Sequence, residues 1–323
     1  MAYFVGIDLG GTRIKIALGD DKRILITRNV KARKELSFMS NIRIIEDTIK
    51  VICEEQKIMF MDISSIGFSF PSLVNNELKK VISTNDKFND AKEFDWVEWS
   101  KSTFGAYISL ENDARMACYG EWKSGAGRPF TDFVMMTLGT GVGTAVIMDG
   151  NPLVGKHFQA GNLGGHLTVD YAGALCSCGN RGCVEAEASS TALKRLVETH
   201  PKILESELKN RSKIDFATIF DLAESDLVAL EIRDHCLDVW SAAIVNYIHA
   251  YDPEAIIISG GIMNSKKIIL PYLREKVGGL AWSPWGHVAI LSSELNDNAG
   301  VNGAFLMAKN EFEKHERKKI KLR

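Results

Sequence analysis

A chain of 323 residues is long enough for two domains of ordinary size, each with a sizeable core. Hydrophobic residues make up 46% of it and charged residues 25%, and a net charge of −2 with a pI near 6.4 offers no footprint for nucleic acid or for an acidic membrane surface. No apolar run approaches the ~20 residues of a membrane span.

Tyr3 to Asp8 is apolar and bounded by Gly10-Gly11, so it reads as a buried strand. Its start lacks the basic-then-apolar layout of a signal peptide. Ile14, Ile16 and Leu18 alternate with Arg13, Lys15 and Ala17 and predict a return strand, with LGGT as the hairpin turn. A third strand is expected over 24–30. Phe38, Ile42, Ile45, Ile49 and Ile52 step by four, three, four and three, which is one face of a long helix. Residues 64–70 read as a strand ending at Pro71, 95–102 as a short helix and 107–110 as a strand. ENDA, 111–114, follows at once, and Asn112 or Asp113 is the expected N-cap of a helix running to about Trp122.

Residues 131–138 and 142–148 form another strand pair around Gly139-Thr140-Gly141. DLGGTRIKIAL at 8–18 and TLGTGVGTAVI at 137–147 share the strand, the turn and the alternating return strand. A repeat offset by 129 residues predicts two related α/β halves. Helices are expected at 189–199, 216–224 and 227–251, the last carrying a stripe of Leu237, Trp240, Ile244, Tyr247, Ile248 and Tyr251 before the stop at Pro253. A buried strand at 255–259, a helix at 266–277, a strand at 287–291 and a closing helix at 301–312 complete an α/β pattern. The terminal KHERKKIKLR reads as a solvated helix end.

Three of the six cysteines, Cys176, Cys178 and Cys183, stand as C-x-C-x4-C, and His166 lies ten positions before the first. Three thiolates and one imidazole complete a tetrahedral set for a structural Zn2+. Gly179 and Gly182 let the chain turn back on such a metal. The alternative is a buried thiol cluster. Cys53, Cys118 and Cys236 are scattered, which argues against a disulfide framework and fits a reducing cytoplasm.

The first Gly turn, Asp8-Leu9-Gly10-Gly11-Thr12, has backbone N–H groups placed to face an anion, with Thr12 as a hydroxyl donor. Asp8, at the strand end, suits a carboxylate that orients Mg2+ through water. Lys15 is either a phosphate-side cation or a solvent-facing strand lysine. Gly139, Thr140 and Gly141 offer the same turn chemistry from the second half, and two such turns point to a bound polyphosphate. Neither is a Walker A loop or a dinucleotide fingerprint. Gly260-Gly261 is a third turn that could seat adenine or ribose, or an ordinary strand-to-helix connection. Asp113 is the candidate general base for a hydroxyl attacking a γ-phosphate, the alternative being an N-cap. Glu111 and Asn112 would supply a carboxylate and an amide to sugar hydroxyls.

DLGGTRIK at 8–15, ENDA at 111–114, TLGTGVG at 137–143 and GH…C-x-CGxxGCxE…AS at 164–189 resemble the ROK family of sugar kinases and repressors, within the sugar kinase, heat-shock ATPase and actin superfamily. The resemblance covers residue 3 to about 308. It implies an α/β fold of two ribonuclease-H-like, actin-like ATPase domains with ATP and sugar in an interdomain cleft and a zinc-stapled loop. A smaller domain would span 1–118 and a larger one 119–323, with the option that a final helix at about 301–315 packs back on the first. The resemblance implies phosphate contacts at Gly10, Gly11, Thr12 and Gly139 to Gly141, and adenosine near Gly260 and Gly261. Asn112 would meet sugar hydroxyls, with Asp113 as base. His166 would be both zinc ligand and sugar neighbour, with Glu185 on the ring hydroxyls. The expected activity is an ATP-dependent, glucokinase- or fructokinase-like hexose kinase acting at O6. The alternatives are an N-acetylmannosamine or N-acetylglucosamine kinase and a non-catalytic sugar sensor. A homodimer is expected, with AWSPW at 281–285 as an interface or a core edge.

Three departures stand out. The family's G-E-x-G-H is replaced by Gly161-Asn162-Leu163-Gly164-Gly165-His166, so Asn162 stands where a carboxylate is usual and one residue is added. An amide donates as well as accepts, so the hydroxyl pattern read there would differ. G-x-P-G has become Ser69-Phe70-Pro71-Ser72. The stretch 85–99 is long, and Asn85 or Asn89 could take the role of the family's sugar-binding asparagine. ROK repressors carry an N-terminal helix-turn-helix; here the hairpin begins at residue 3, which favours the kinase.

Overall fold

The computed structural model describes residues 2–33, 37–84 and 88–321. The chain divides into two compact units, one of Met1–Arg128, Val154–Ala160 and Asn298–Arg323, the other of Pro129–Leu153 and Gly161–Asp297.

The first unit opens with the antiparallel strands β1 (Tyr3–Leu9), β2 (Arg13–Gly19) and β3 (Ile24–Lys31). Helix α1 (Phe38–Gln56) follows, started by the Ser37 side chain accepting from the Ser40 amide and ended at Lys57 in the left-handed region. It buries the expected stripe of Phe38, Ile42, Ile45, Ile49 and Ile52. Strand β4 (Ile63–Phe70) runs parallel to β1, and a short hairpin of β5 (Val74–Asn75) and β6 (Lys80–Val81) follows it. Helix α2 (Trp96–Phe104) begins at Trp96 because the Asp95 carboxylate caps the Glu98 amide. Strand β7 (Tyr107–Asn112) lies parallel to β4 and runs without a loop into α3 (Asp113–Ser124), and the sheet order is β3-β2-β1-β4-β7.

Aromatic rings fill the space between this sheet and its helices. The Phe38 ring meets Phe68, Phe70, Phe94 and Trp96 at centroid distances of 6.4, 6.0, 5.1 and 5.2 Å, mostly edge to face. Trp99 Nε1 donates to Glu46 at 2.7 Å and so fixes α2 to α1.

The second unit repeats the opening motif. The antiparallel pair β8 (Phe133–Leu138) and β9 (Val142–Met148) is extended by β10 (Asn151–Pro152). Helices α4 (Val184–Ala188), α5 (Ala192–Glu198), α6 (Phe216–Leu222) and α7 (Leu227–Tyr251) precede β11 (Ala255–Ser259), which is parallel to β8. Helix α8 (Lys266–Leu280) and strand β12 (Ala289–Ser292), parallel to β11, complete a sheet of order β10-β9-β8-β11-β12. The core of this unit joins Val134 and Met136 of β8, Ile256 and Ile258 of β11, and Leu237, Trp240, Ile244 and Tyr247 of α7.

The chain then returns to the first unit as α9 (Ala299–Lys321). This helix rests on the sheet backbone itself. A Cβ on Gly67 would lie 1.9 Å from the Ala304 carbonyl oxygen, and one on Gly6 2.5 Å from the Phe305 amide. Two strand glycines therefore set how closely α9 approaches. The basic terminal run continues α9 through Lys321, supported by the Glu313–Arg317 and Glu316–Lys319 pairs on successive turns. The helix expected at 189–199 begins only at Ala192, because Ser189 is extended and separates it from the short α4.

Candidate active site

In the first unit, the β1–β2 turn closes with the Gly10 amide donating to the Arg13 carbonyl at 2.9 Å. Nothing lies within 4 Å of where a Gly11 Cβ would stand, so the space over the turn is open, and Thr12 is exposed beside it. Asp8 ends β1, where its carboxylate accepts from Ser69 Oγ at 2.7 Å. A Cβ on Gly300 would fall 2.6 Å from the same carboxylate, which places Asp8 against the first turn of α9, the positive end of that helix. Lys15 is the register partner of Asp8 across the hairpin and is only 4% exposed. The solvent-facing alternative for Lys15 is therefore wrong: cross-strand partners share a face, and that face is covered.

At the β7–α3 junction the cap falls to Asn112, whose Oδ1 accepts from the Arg115 amide at 3.1 Å. Its amide nitrogen donates to Ser72 O at 3.0 Å and to Asp113 Oδ1 at 2.9 Å. Both hydrogens of that amide are thus engaged inside the protein, and Asn112 is 5% exposed. Asp113, by contrast, is exposed at the start of α3, with Oδ1 also accepting from the Ala114 amide at 2.8 Å. The N-cap alternative for Asp113 does not hold.

Glu111 is not a sugar-facing carboxylate either. It is 2% exposed and accepts from Asn76 Nδ2 at 2.6 Å, from the Asn112 amide at 2.9 Å and from Arg115 at 3.4 Å. Arg115 in turn donates to the carbonyls of Val154, Phe158 and Ala160 at 3.4, 3.0 and 3.0 Å. This is why the segment 154–160 belongs to the first unit. Burial pulls the Arg115 guanidinium below its ordinary value, and Glu111 opposes that. Sequence reading missed Asn76 and Arg115; the Glu111–Arg115 spacing of four on a helix start was the available signal. Asn89 is exposed, and its side-chain oxygen accepts from Thr84 Oγ1. Asn85 lies outside the described residues.

In the second unit, the β8–β9 turn has its carbonyls drawn to one side. Gly139 O accepts from the Ser190 amide at 3.0 Å, and Thr140 O from the Thr191 amide at 3.3 Å and its hydroxyl at 3.1 Å. Within the turn the Gly139 amide donates to Gly141 O at 3.0 Å, and the position of a Gly139 Cβ is open to 4 Å. Glu185, from the first turn of α4, accepts from the Val142 amide at 3.0 Å. The Gly260 position requires glycine, with φ +104° and a would-be Cβ 1.9 Å from the Leu138 carbonyl oxygen, whereas the space at Gly261 is open.

The run 161–166 is laid along β9. Thr144 Oγ1 donates to Gly161 O at 2.7 Å and accepts from the Gly164 amide at 2.9 Å. A Cβ on Gly165 would be 1.9 Å from Val142 O. The two adjacent glycines thus allow the run to cross the strand and deliver His166, with Asn162 buried within it.

His166, Cys176, Cys178 and Cys183 come together, with their ligand atoms all within 4.8 Å of one another. Cys178 and Cys183 Sγ are 3.7 Å apart, and Cys176 Sγ is 3.5 Å from His166 Nδ1. Around one Zn2+ with bonds of about 2.3 Å to sulfur and about 2.0 Å to nitrogen, tetrahedral edges are about 3.8 and about 3.5 Å. The cluster fits such an ion, and 3.7 Å is far too long for a disulfide. Burial and the neighbouring thiols push the Cys183 thiol up to about 12, while the Asn180 amide holds Cys178 below the ordinary thiol value. A cation would stabilise all three thiolates. The loop is folded tightly around this set: a Cβ on Gly182, at φ +60°, would overlap Asp170 O. Glu187, which sequence reading passed over, accepts from the Ala174 amide at 2.6 Å and braces the loop on α4.

In the AWSPW segment Ala281 packs at the edge of the second core, whereas Trp282 and Trp285 are 83% and 57% exposed. No helix among the described residues is long and apolar enough to cross a membrane.

A model of the ROK family matches residues 4–311. A glucokinase of Thermotoga maritima is 34% identical over 312 residues, covering 93% of this chain and 95% of that protein. A xylose repressor of Bacillus subtilis is 26% identical, and the match covers 93% of this chain but 75% of the repressor. The structure of a ROK family glucokinase from Streptomyces griseus in complex with glucose and AMPPNP superposes with a TM-score of 0.76 at 25% identity, over 95% of this chain and 99% of that one. From strand β1 through the Cys/His loop to the middle of α9, the chain belongs to the ROK family.

Proposed function

We propose that this ROK protein is an ATP-dependent hexose kinase that transfers the γ-phosphoryl group to a sugar hydroxyl, O6, with Asp113 as general base. The observation that carries the reading is Asp113 itself, exposed at the positive end of α3 while Asn112 and Ala114 hold one of its oxygens. The sugar oxygen forms a bond to the γ-phosphorus, the bond to the β-γ bridging oxygen breaks, ADP leaves, and the hydroxyl proton passes to Asp113. Gly10, Gly11, Thr12, Gly139, Thr140 and Gly141 would hold phosphate oxygens through the turns. Asp8 would orient Mg2+, which neutralises the developing charge, with Lys15 on the same covered sheet face. Gly260 and Gly261 would border adenosine.

Asn162, His166 and Glu185 are the sugar-side groups of the second unit; those of the first are Asn85 or Asn89, with Asn112, whose amide hydrogens are engaged, meeting a hydroxyl only as an acceptor through Oδ1. Zn2+ at His166, Cys176, Cys178 and Cys183 would fix the loop, leaving the second imidazole nitrogen of His166 for a hydroxyl. N-acetylhexosamines are the alternative acceptors. A homodimer would use the exposed Trp282–Trp285 segment. The test is ADP release measured across a panel of hexoses and N-acetylhexosamines with wild type and Asp113→Asn. Release that depends on one of these sugars and falls in the variant supports the reading; release indifferent to every sugar overturns it.

A further inference from the structure

Glu185 stands in the place the second phosphate turn should keep for its ligand. One carboxylate oxygen accepts from the Val142 amide at 3.0 Å, and the same oxygen lies 2.1 Å from where a Gly141 Cβ would be. It therefore rests directly on the Cα of Gly141. A phosphate oxygen binding this turn needs that amide and that space. Two anions cannot share one N–H donor, and at such range they repel strongly outside bulk water. A carboxylate on a phosphate turn acts as an internal competitor of the phosphate.

The backbone that carries Glu185 cannot withdraw to clear the turn. Helix α4 follows directly on Cys183, a member of the candidate metal set, and ends where Trp240 Nε1 donates to Ala188 O at 2.8 Å. Glu187 of the same helix is buried and bound to the Ala174 amide and to Arg195. Only the Glu185 side chain is left to move. A polyhydroxylic ligand supplies O–H donors that can replace the Val142 amide as its partner.

We propose that Glu185 occludes the second phosphate turn in the sugar-free protein, and that sugar binding draws its carboxylate off, so that sugar precedes nucleotide. The proposal rests on the sugar-kinase reading for the identity of the displacing ligand; the occlusion itself does not. No group is oxidised, reduced or transferred; one hydrogen-bond donor to the carboxylate replaces another.

Calorimetric titration of the metal-loaded protein tests both parts. With Mg2+-AMPPNP as probe, saturating hexose should tighten nucleotide binding by roughly tenfold or more in wild type, within the usual range of coupling between two ligands. Glu185→Ala should bind Mg2+-AMPPNP without sugar about as tightly as sugar-saturated wild type does, and sugar should then add little. Glu185→Gln, which keeps the size but not the charge, should fall between them, and it serves if the alanine variant loses metal or folds poorly. Inorganic tripolyphosphate should discriminate wild type from Glu185→Ala in the absence of any sugar. Wild type in which sugar leaves nucleotide affinity unchanged, or variants in which sugar-free affinity does not rise, would overturn the proposal. A chain that is not a sugar kinase would show no sugar-dependent ADP release, yet would still bind tripolyphosphate more tightly as Glu185→Ala.

Discussion

The Asn112 side-chain amide donates to Asp113 Oδ1 at 2.9 Å, and this one bond separates the two roles that either residue could have filled. Asn112 caps α3 and ties it to the Ser72 carbonyl, while Asp113 is left exposed with one oxygen held. A carboxylate fixed through one oxygen at a helix N-terminus is oriented, and its negative charge is favoured by the helix dipole. Asp113→Asn should therefore keep sugar binding and lose about 10²–10⁴-fold in turnover, the usual contribution of a positioned base. Comparing sugar Kd by calorimetry with kcat by ADP release checks this, and near-unchanged turnover removes Asp113 from the role.

The Cys/His cluster makes a second prediction. A Zn2+ held by all four side chains would close the loop, so losing one ligand should loosen the whole 166–183 stretch. Cys178 is the exposed member of the set, and Cys178→Ala removes a ligand without opening a buried cavity. Zinc content by atomic emission and sugar affinity should fall together. Full sugar affinity in a metal-free protein would count against a structural Zn2+.

Much of the fold was legible because periodicity and glycine placement report directly on packing. The α1 stripe and α7 followed from apolar spacing, and the two hairpins from that spacing with their Gly turns. Elements too short to carry a period were not legible: α4, and the β5–β6 hairpin that brings Asn76 to Glu111. At the site, residue types were readable but their commitments were not. Nothing in ENDA tells that Glu111 points inward to Asn76 and Arg115, or that Asn112 gives both amide hydrogens to the protein. Those depend on residues about 40 positions away, such as Ser72 and 154–160. The choice left open at Lys15 was not legible for the same reason, since alternation along one strand cannot show that both faces are covered.

Arg115 is the clearest such commitment and the third prediction. It is 4% exposed, and its charge is met by Glu111 and by three carbonyls of the 154–160 segment. Removing one partner of a buried ion pair leaves the other uncompensated, at about 3–5 kcal/mol. Arg115→Met should lower stability by that order in urea unfolding, and hydrogen exchange in 154–160 should accelerate. Adding Glu111→Gln to Arg115→Met should cost less than the sum of the two single changes, because each single change strands a group the double change removes. Strict additivity would show that the pair is not coupled.

The fourth prediction concerns acid stability and rests on Asp226, which starts α7. Burial by itself would raise this carboxyl, but the Ser206 hydroxyl and the amides of Ala229, Glu207 and Val228 all donate to it and hold it below the ordinary carboxylate value. A group depressed in the folded state contributes its stability above its unfolded pKa, near ~3.9, and loses it as pH falls through the lower folded value. Asp226→Asn keeps the size and one acceptor oxygen for the α7 cap but removes the charge and places an amide donor opposite the Ser206 hydroxyl and the Glu207 amide. Its deficit at neutral pH should be about 1–2 kcal/mol, as for a lost helix cap. Below about pH 4 that deficit should shrink, because wild type then gives up the same contribution. Urea midpoints measured from pH 7 down to pH 3 for both proteins read this directly. Curves that stay parallel across the range would mean that the Asp226 charge contributes nothing and that α7 is held by packing alone.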